Sequence, residues 1–510
     1  MRSSHARGVL IAGTGSNVGK SLVVTGLLRW CRQQGISAAP FKGQNMALNS
    51  AVTIEGGEVA RAQAVQARAA GVDLSVTMNP VLIKPTAQQR SQLIVRGHPV
   101  GEIASGRWIA TKRELLATVV EAFEELSTSH ELIIAEGAGS AAEINLLEGD
   151  LANLRFAQAV GLETVLVGDL EPGGVFASIY GHYTLVPEEY RRLLRGFVIN
   201  RVRGDGGILQ PGIDVLTRRL GTRWFGNLPI IDGYLPGEDA INLGVTQWSP
   251  SGRDGLGSRQ RSEAPIRVRV VELPYLANYT DFDPLVLEPD VDLRFVRRPE
   301  DLADADLVVL PGTKATVTAL SWLRSAGFVP QLEHAIGQGC WLLGICGGYQ
   351  MLADQIEDPI ESGIGRVNGL GLLRAQVVFE AEKVLTNVVG TAPCFGQAQV
   401  VGYQIHHGRV VAEGDPFFML ASPDPREGEA TIREGSCRDG QIYGTTLHGL
   451  FDADRLRSPF LTAVARARGR SFASQLHFDE FVERSLDHLG EVVGAHLDVA
   501  QLLGLERLGG

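Results

Sequence analysis

Cysteine is scarce in this chain: five among 510 residues, an odd number that supports no disulfide framework and fits a reducing cytosol. No apolar run approaches the roughly 20 residues that a membrane-spanning helix requires. The opening Met-Arg-Ser-Ser-His-Ala-Arg-Gly lacks an apolar core and reads as a short polar lead-in, not a signal peptide. Positive charge is in the minority, with Lys plus Arg at 47 against 58 for Asp plus Glu, a formal balance of −11. That sign argues against nucleic acid or an anionic membrane as partner, because both require a basic face. It leaves room for a local basic pocket. There is no internal repeat and no low-complexity tract. What remains is an ordinary globular composition, 44% hydrophobic and 21% charged. The chain is too long for a single core. A cytoplasmic protein of two or three domains is expected.

The main break in composition runs from Ser249 to Ala264, rich in Gly, Ser and Arg with little to bury, and reads as an exposed linker. On both sides short apolar runs alternate with longer helical stretches. Val9–Ala12, Leu132–Ala135, Thr164–Val167 and Phe197–Ile199 precede the break. Ile266–Val271, Leu293–Val296, Leu307–Leu310 and Trp341–Leu343 follow it. Continuous apolar runs suit strands buried on both faces, so each half is expected to be a parallel sheet between helices. The expected domains are 1–248, a linker over 249–264, then 265–455. A helical extension over 456–510, including Leu461–Arg468 and Phe481–Leu489, is expected to pack on the second domain.

The first strand runs directly into Gly13, Thr14, Gly15, Ser16, Asn17, Val18, Gly19, Lys20 and Ser21, and a helical pattern with Leu22, Val23, Leu27 and Trp30 follows. Strand, glycine-rich turn, Lys-Ser and helix are the context of a phosphate-binding loop. Backbone N–H groups and the helix start cradle phosphate, Lys20 reaches the terminal phosphates, and the Ser21 hydroxyl can ligate Mg²⁺. The first glycine stands one residue earlier than in the standard pattern, a variant that resembles the dethiobiotin synthetase branch of P-loop enzymes. A glycine-rich turn with no ligand is the plain alternative. Glu136 ends the apolar run Leu132–Ala135, where such a fold places its second metal contact. It could equally cap a turn, but the upstream loop favours the metal. Asp169 is a weaker candidate that could also be a helix cap.

In the second half Cys346 follows an apolar strand within Gly344-Ile345-Cys346-Gly347-Gly348. Small residues flanking a nucleophile at a strand-to-helix turn form an elbow, where a Cβ would clash with the sharply bent backbone. The helix start behind the sulfur favours the thiolate. Cys31, Cys340, Cys394 and Cys437 take the ordinary reading of buried structural cysteines. His448, in Thr445-Thr446-Leu447-His448-Gly449, is the expected base among eleven histidines, a satisfied core histidine being the alternative. His406 and His407 are expected to line the pocket. The turn at Gly312, with the amide of Gly347, could form an oxyanion hole.

Together these residues mark a family. The chain resembles the cobyric acid synthases over nearly its whole length, through Pro40-Phe41-Lys42-Gly43-Gln44-Asn45-Met46-Ala47-Leu48-Asn49-Ser50, Gly57–Gln63, Glu136–Leu146, Asn200 with Arg203-Gly204-Asp205, and Asn278–Asp283. The signatures around Gly312, Cys346, Tyr403 and His448 complete the match. The resemblance implies an α/β fold. A dethiobiotin synthetase-like P-loop amidoligase domain would precede a class I glutamine amidotransferase domain. It also implies the use of ATP, Mg²⁺ and glutamine to amidate the b, d, e and g carboxylates of adenosylcobyrinic acid a,c-diamide through an acyl phosphate. Lys42, Gln44 and Asn45 would then lie near the transferred phosphate and the corrin carboxylate; from the residues alone the segment is a polar loop after a strand, a ligand edge.

Three departures stand out. Leu450 occupies the position where many glutamine amidotransferases carry a Glu that orients the histidine, an absence known in the cobyrinate-amidating branch. Gln404 replaces a common Glu, and Glu171-Pro172 replaces Asp-Arg. The sister cobyrinic acid a,c-diamide synthase is the nearest rival, but the Gln-Asn-Met loop is not expected there. A partition-type P-loop ATPase would need a lysine where Gly15 stands and has no use for Cys346. A non-catalytic amidotransferase-like module is opposed by the intact Cys346 and His448.

Overall fold

The computed structural model describes residues 7–87, 90–104, 108–231, 265–422 and 431–505. These divide into two compact units. The first holds 7–47, 53–231 and 482–505; the second holds 48–52, 265–422 and 431–481. The expected linker lies outside the described residues.

Each expected apolar run lies within a strand. In the first unit six parallel strands take the order Arg223–Pro229, Leu194–Val202, Glu163–Asp169, Arg7–Gly13, Leu132–Glu136, Ala38–Phe41. Every residue of Leu132–Glu136 is buried, as a strand covered on both faces requires. The first strand sits centrally, between the third, Leu132–Glu136, and the fourth, Glu163–Asp169, with the second, Ala38–Phe41, beyond the third. Its carboxyl end is therefore the switch point where α/β sheets place ligands. Phe41, at the end of Ala38–Phe41, stacks on Phe156 at 5.1 Å and meets Phe123 edge-on at 5.3 Å. Burial of such rings contributes roughly 1.5–3 kcal/mol each and pins the chain that continues into Lys42. A second sheet of four strands, Gln44–Met46, Val81–Ala87, Arg90–Val95 and His98–Ala104, was not expected. Gln44 and Asn45 therefore lie on a short strand, and only Lys42 and Gly43 are loop.

In the second unit Val291–Val296, Ile266–Val271, Leu307–Leu310, Trp341–Ile345 and Ile442–Thr445 form a parallel sheet, extended by antiparallel Ser436–Arg438. A largely antiparallel sheet stands beside it, built on the long hairpin Ala375–Ala392 and Ala398–Ala412. Its last strand is the two-residue Leu447–His448.

The C-terminal stretch is divided, contrary to the single extension expected on the second domain. The helix Asp454–Ala467 belongs to the second unit, while residues from Val482 onward belong to the first. The reason is a cluster of specific partners. Arg29, almost fully buried in the helix Lys20–Gln33, binds Glu483 at 2.8 Å and Asp487 at 2.7 Å. Val493 packs so closely on Gly26 that a Cβ there would lie 2.5 Å from its Cγ2.

Candidate active site

Cys346 leaves the strand Trp341–Ile345 with φ 50 and ψ −110, a strained conformation for a residue with a side chain, and the helix Gly347–Leu352 begins at once. The bend forbids a Cβ next door. At Gly348 it would lie 1.8 Å from the carbonyl oxygen of Leu310. At Gly312 it would lie 3.0 Å from Cε1 of His448 and 3.8 Å from Cβ of Cys346. The structure thus gathers Cys346, His448, Gly312 and Gly347 into one elbow. The Cys346 thiol faces the carbonyl oxygen of Ile405 at 3.8 Å and bonds to the side chain of His448.

His448 is fully buried, and its orienter comes from a distant part of the chain. Its Nδ1 lies 2.7 Å from Oδ2 of Asp281, while Oδ1 of Asp281 accepts the N–H of Gly449 at 2.8 Å. Burial pushes the imidazole pKa down, but the charge and hydrogen bond of Asp281, with the Cys346 sulfur, outweigh it and raise it to about 10. Leu450 points into the hydrophobic core, where a carboxylate could not take part. Asp281 is the carboxylate that stands against the imidazole in a chain with no glutamate two residues after His448. Tyr403 completes the support, its ring stacked on the imidazole at 5.5 Å.

Burial disfavours the charged form of both competing histidines. Burial drives His406 down to about 3 and lowers His407 as well. His406 lines a cavity of about 270 Å³ with Gln404, Glu434 and Thr446. There Gln404 donates to Thr446 Oγ at 2.6 Å, and Thr446 in turn donates to Glu434 at 2.8 Å. Among the remaining cysteines, Cys31 and Cys340 are buried and pushed up to about 12 by that burial. Cys394 and Cys437 depart from the buried reading: Cys394 is exposed in the turn Pro393–Phe395 at the hairpin tip, and Cys437 is half-buried beside it.

In the first unit the Gly13–Ser21 loop wraps the carboxyl end of the central strand. Gly19 has φ 100, and a Cβ there would lie 2.0 Å from Nδ2 of Asn200, which itself donates to the carbonyl of Val18 at 2.9 Å. Lys20 Nζ donates to the carbonyls of Gly15 at 2.8 Å and Gly139 at 3.0 Å. Glu136 is a hub. Its Oε1 receives Ser21 Oγ at 2.9 Å and Lys42 Nζ at 2.7 Å, and its Oε2 receives Gln66. Asn45 donates to Gln63 at 3.2 Å, and Gln44 lines a small cavity of about 70 Å³ with Ser140 and Asn153. Asp169 is set apart from this cluster, held by Arg201 at 2.6 Å and by the N–H of Glu171. Glu171 itself pairs with Arg203 at the surface.

Two family models match. The CobQ/CobB/MinD/ParA nucleotide binding domain covers residues 9–242, and the CobB/CobQ-like glutamine amidotransferase domain covers residues 267–456. A cobyric acid synthase of Streptomyces avermitilis is 44% identical over 97% of this chain and 95% of its own length. Those of Streptomyces coelicolor (42%, 97% and 95%) and Mycolicibacterium gilvum (43%, 98% and 97%) are comparable. The chain belongs to the cobyric acid synthase family. The family assignment accords with both geometries: a nucleotide-binding unit with a phosphate loop, and an amidotransferase unit with a cysteine elbow. The sequence alone assigns no role to Asp281, which lies inside the Asn278–Asp283 match, or to Gln66. No local pattern marks either, because each acquires its partner across the chain, 167 residues away for Asp281 and 70 for Gln66.

Proposed function

We propose that this chain is a cytoplasmic glutamine-hydrolysing ligase that uses ATP to amidate the b, d, e and g carboxylates of adenosylcobyrinic acid a,c-diamide. The observation that carries the reading is the Cys346–His448–Asp281 constellation in a chain whose other unit gathers Lys20, Ser21, Lys42 and Glu136 at a phosphate loop.

The sulfur of Cys346 attacks the side-chain carbonyl of glutamine, and the amides of Gly312 and Gly347 receive the developing oxyanion. His448 carries the proton that the leaving ammonia takes, while Asp281 holds Nδ1–H and keeps Nε2 directed at the sulfur. In the first unit Lys20 and Lys42 offset charge on the phosphoryl group as it passes to the substrate carboxylate. Ammonia then displaces phosphate from the acyl phosphate and forms the amide. Ser21 Oγ and Glu136 Oε1 are 2.9 Å apart. A hydroxyl and a carboxylate oxygen side by side are the hard oxygen donors that Mg²⁺ takes, so these two residues would hold the ion. When bound, Mg²⁺ supplies charge neutralisation at the phosphates.

The test is mass spectrometry of cobyrinate a,c-diamide incubated with enzyme, ATP, Mg²⁺ and glutamine. The reading expects a ladder of products in which OH is replaced by NH₂ one to four times. An unchanged corrinoid alongside consumed ATP and glutamine would refute this substrate.

A further inference from the structure

The phosphate loop and the cysteine elbow leave one part of the sequence match without a role: the run from Asn49 onward. Leu48–Val52 belongs to the amidotransferase unit although it follows Lys42, Gln44 and Asn45 directly in the chain. Asn49 and Ser50 are wholly buried. Oδ1 of Asn49 accepts the backbone N–H of Tyr279 at 3.1 Å, and the N–H of Ser50 donates to Oδ1 of Asn278 at 3.0 Å. This reciprocal pair grips the turn Tyr279–Phe282, entered through Asn278 at φ 53, and the turn carries Asp281. The same segment reaches the other side of the histidine. Val52 packs on Tyr403 and Ile405; Tyr403 stacks on His448, and the carbonyl of Ile405 faces the Cys346 sulfur.

We infer that Asn49 is a positioning residue for glutamine hydrolysis, acting through the Asn278–Phe282 turn to set Asp281 and hence the imidazole of His448. The physical basis is rigidity. A carboxylate that orients a catalytic histidine must itself be held, and loss of such outer partners typically costs about 10–100-fold in activity. Asp281 binds His448 and Gly449, but those bonds fix only its head. The turn beneath it is held by the burial of Tyr279 and Phe282, by the Asp281 N–H donating to the Asn278 carbonyl at 3.0 Å, and by the bonds that tie Asn49 and Asn278 across the two segments. Asn45 and Asn49 are also only four residues apart in sequence, so the segment that sets the histidine is a direct continuation of the segment assigned to substrate.

The inference rests on the proposed glutaminase activity, so its test reads glutamate released from glutamine, which does not depend on which corrinoid is the acceptor. Asn49→Leu keeps the number and branching of the side-chain heavy atoms and removes the acceptor; Asn49→Asp keeps the acceptor. For Asn49→Leu, kcat for glutamate release is expected to fall about 10–100-fold with KM for glutamine within about twofold. The limb of the pH profile set by His448 is expected to move to lower pH, because Asp281 no longer holds the charged imidazole. Asn49→Asp is expected to recover most of kcat. A urea-unfolding midpoint close to that of the wild type reports that each variant has folded, and ammonia-dependent product formation should persist in both. Unchanged kcat in Asn49→Leu, an unmoved pH limb, or an equal loss of ammonia-dependent synthesis would each overturn the inference. A wild-type enzyme that releases glutamate but leaves the corrinoid unchanged would instead count against the proposed substrate.

Discussion

Asp281 supplies the charge that raises the His448 pKa, and its removal can be read separately from its shape. Asp281→Asn keeps the volume but withdraws the charge that outweighs burial at His448. Glutamate release is expected to fall about 10²–10⁴-fold, the scale seen when a triad carboxylate is neutralised. The pH dependence of stability follows with a definite sign. A histidine raised from about 6.5 to about 10 contributes stability that is fully present below pH 6.5 and is lost as pH rises towards 10. The stability gap between wild type and Asp281→Asn should therefore be widest at pH 6 and narrow steadily towards pH 10, measured by urea unfolding across that range. A gap that widened with pH would mean that the imidazole is not held protonated by Asp281. At this scale the sequence was partly legible. Cys346 and His448 carry local signatures, whereas Asp281 becomes an orienter only when the chain folds back over a long separation.

The elements that were legible are those with a pattern of their own. Continuous apolar runs such as Leu132–Ala135 and Trp341–Leu343 became strands because only a sheet covered on both faces buries every residue of such a run. The long hairpin was not foreseen, since Ala375–Ala392 interleaves buried and exposed positions with Glu380, Glu382 and Lys383 and presents no continuous apolar signal. The elbow is the element with the least tolerance. Gly348→Ala would push a methyl onto the Leu310 carbonyl, so a stability loss of about 3 kcal/mol or more and loss of glutamate release are expected. Near-wild-type unfolding of that variant would show that the strand-to-helix turn is less constrained than the geometry indicates. The C-terminal helix offers a milder case. Arg29→Ala removes a buried guanidinium from two half-exposed carboxylates, so solvent screening limits the loss to about 1–3 kcal/mol. The readout is faster amide exchange in Val482–His496, and unchanged exchange there would remove Arg29 from the account of why this helix belongs to the first unit.

At the scale of the whole molecule, the chain carries two chemistries on two units, each built around the carboxyl end of a parallel strand. In the proposed reading, nitrogen is released at the Trp341–Ile345 elbow and used at the Gly13–Ser21 loop. A nucleotide-binding half followed by an amidotransferase half was legible from the two motifs. The assignment of Leu48–Val52 and of the residues after Val482 was not, because both are short stretches whose place is decided by tertiary partners and not by their own pattern. Cys346→Ala measures the separation of the two chemistries directly. Glutamine-dependent amidation should be abolished while ammonia-dependent amidation proceeds near the wild-type rate. Loss of both activities, or of neither, would contradict the assignment of nitrogen release to Cys346.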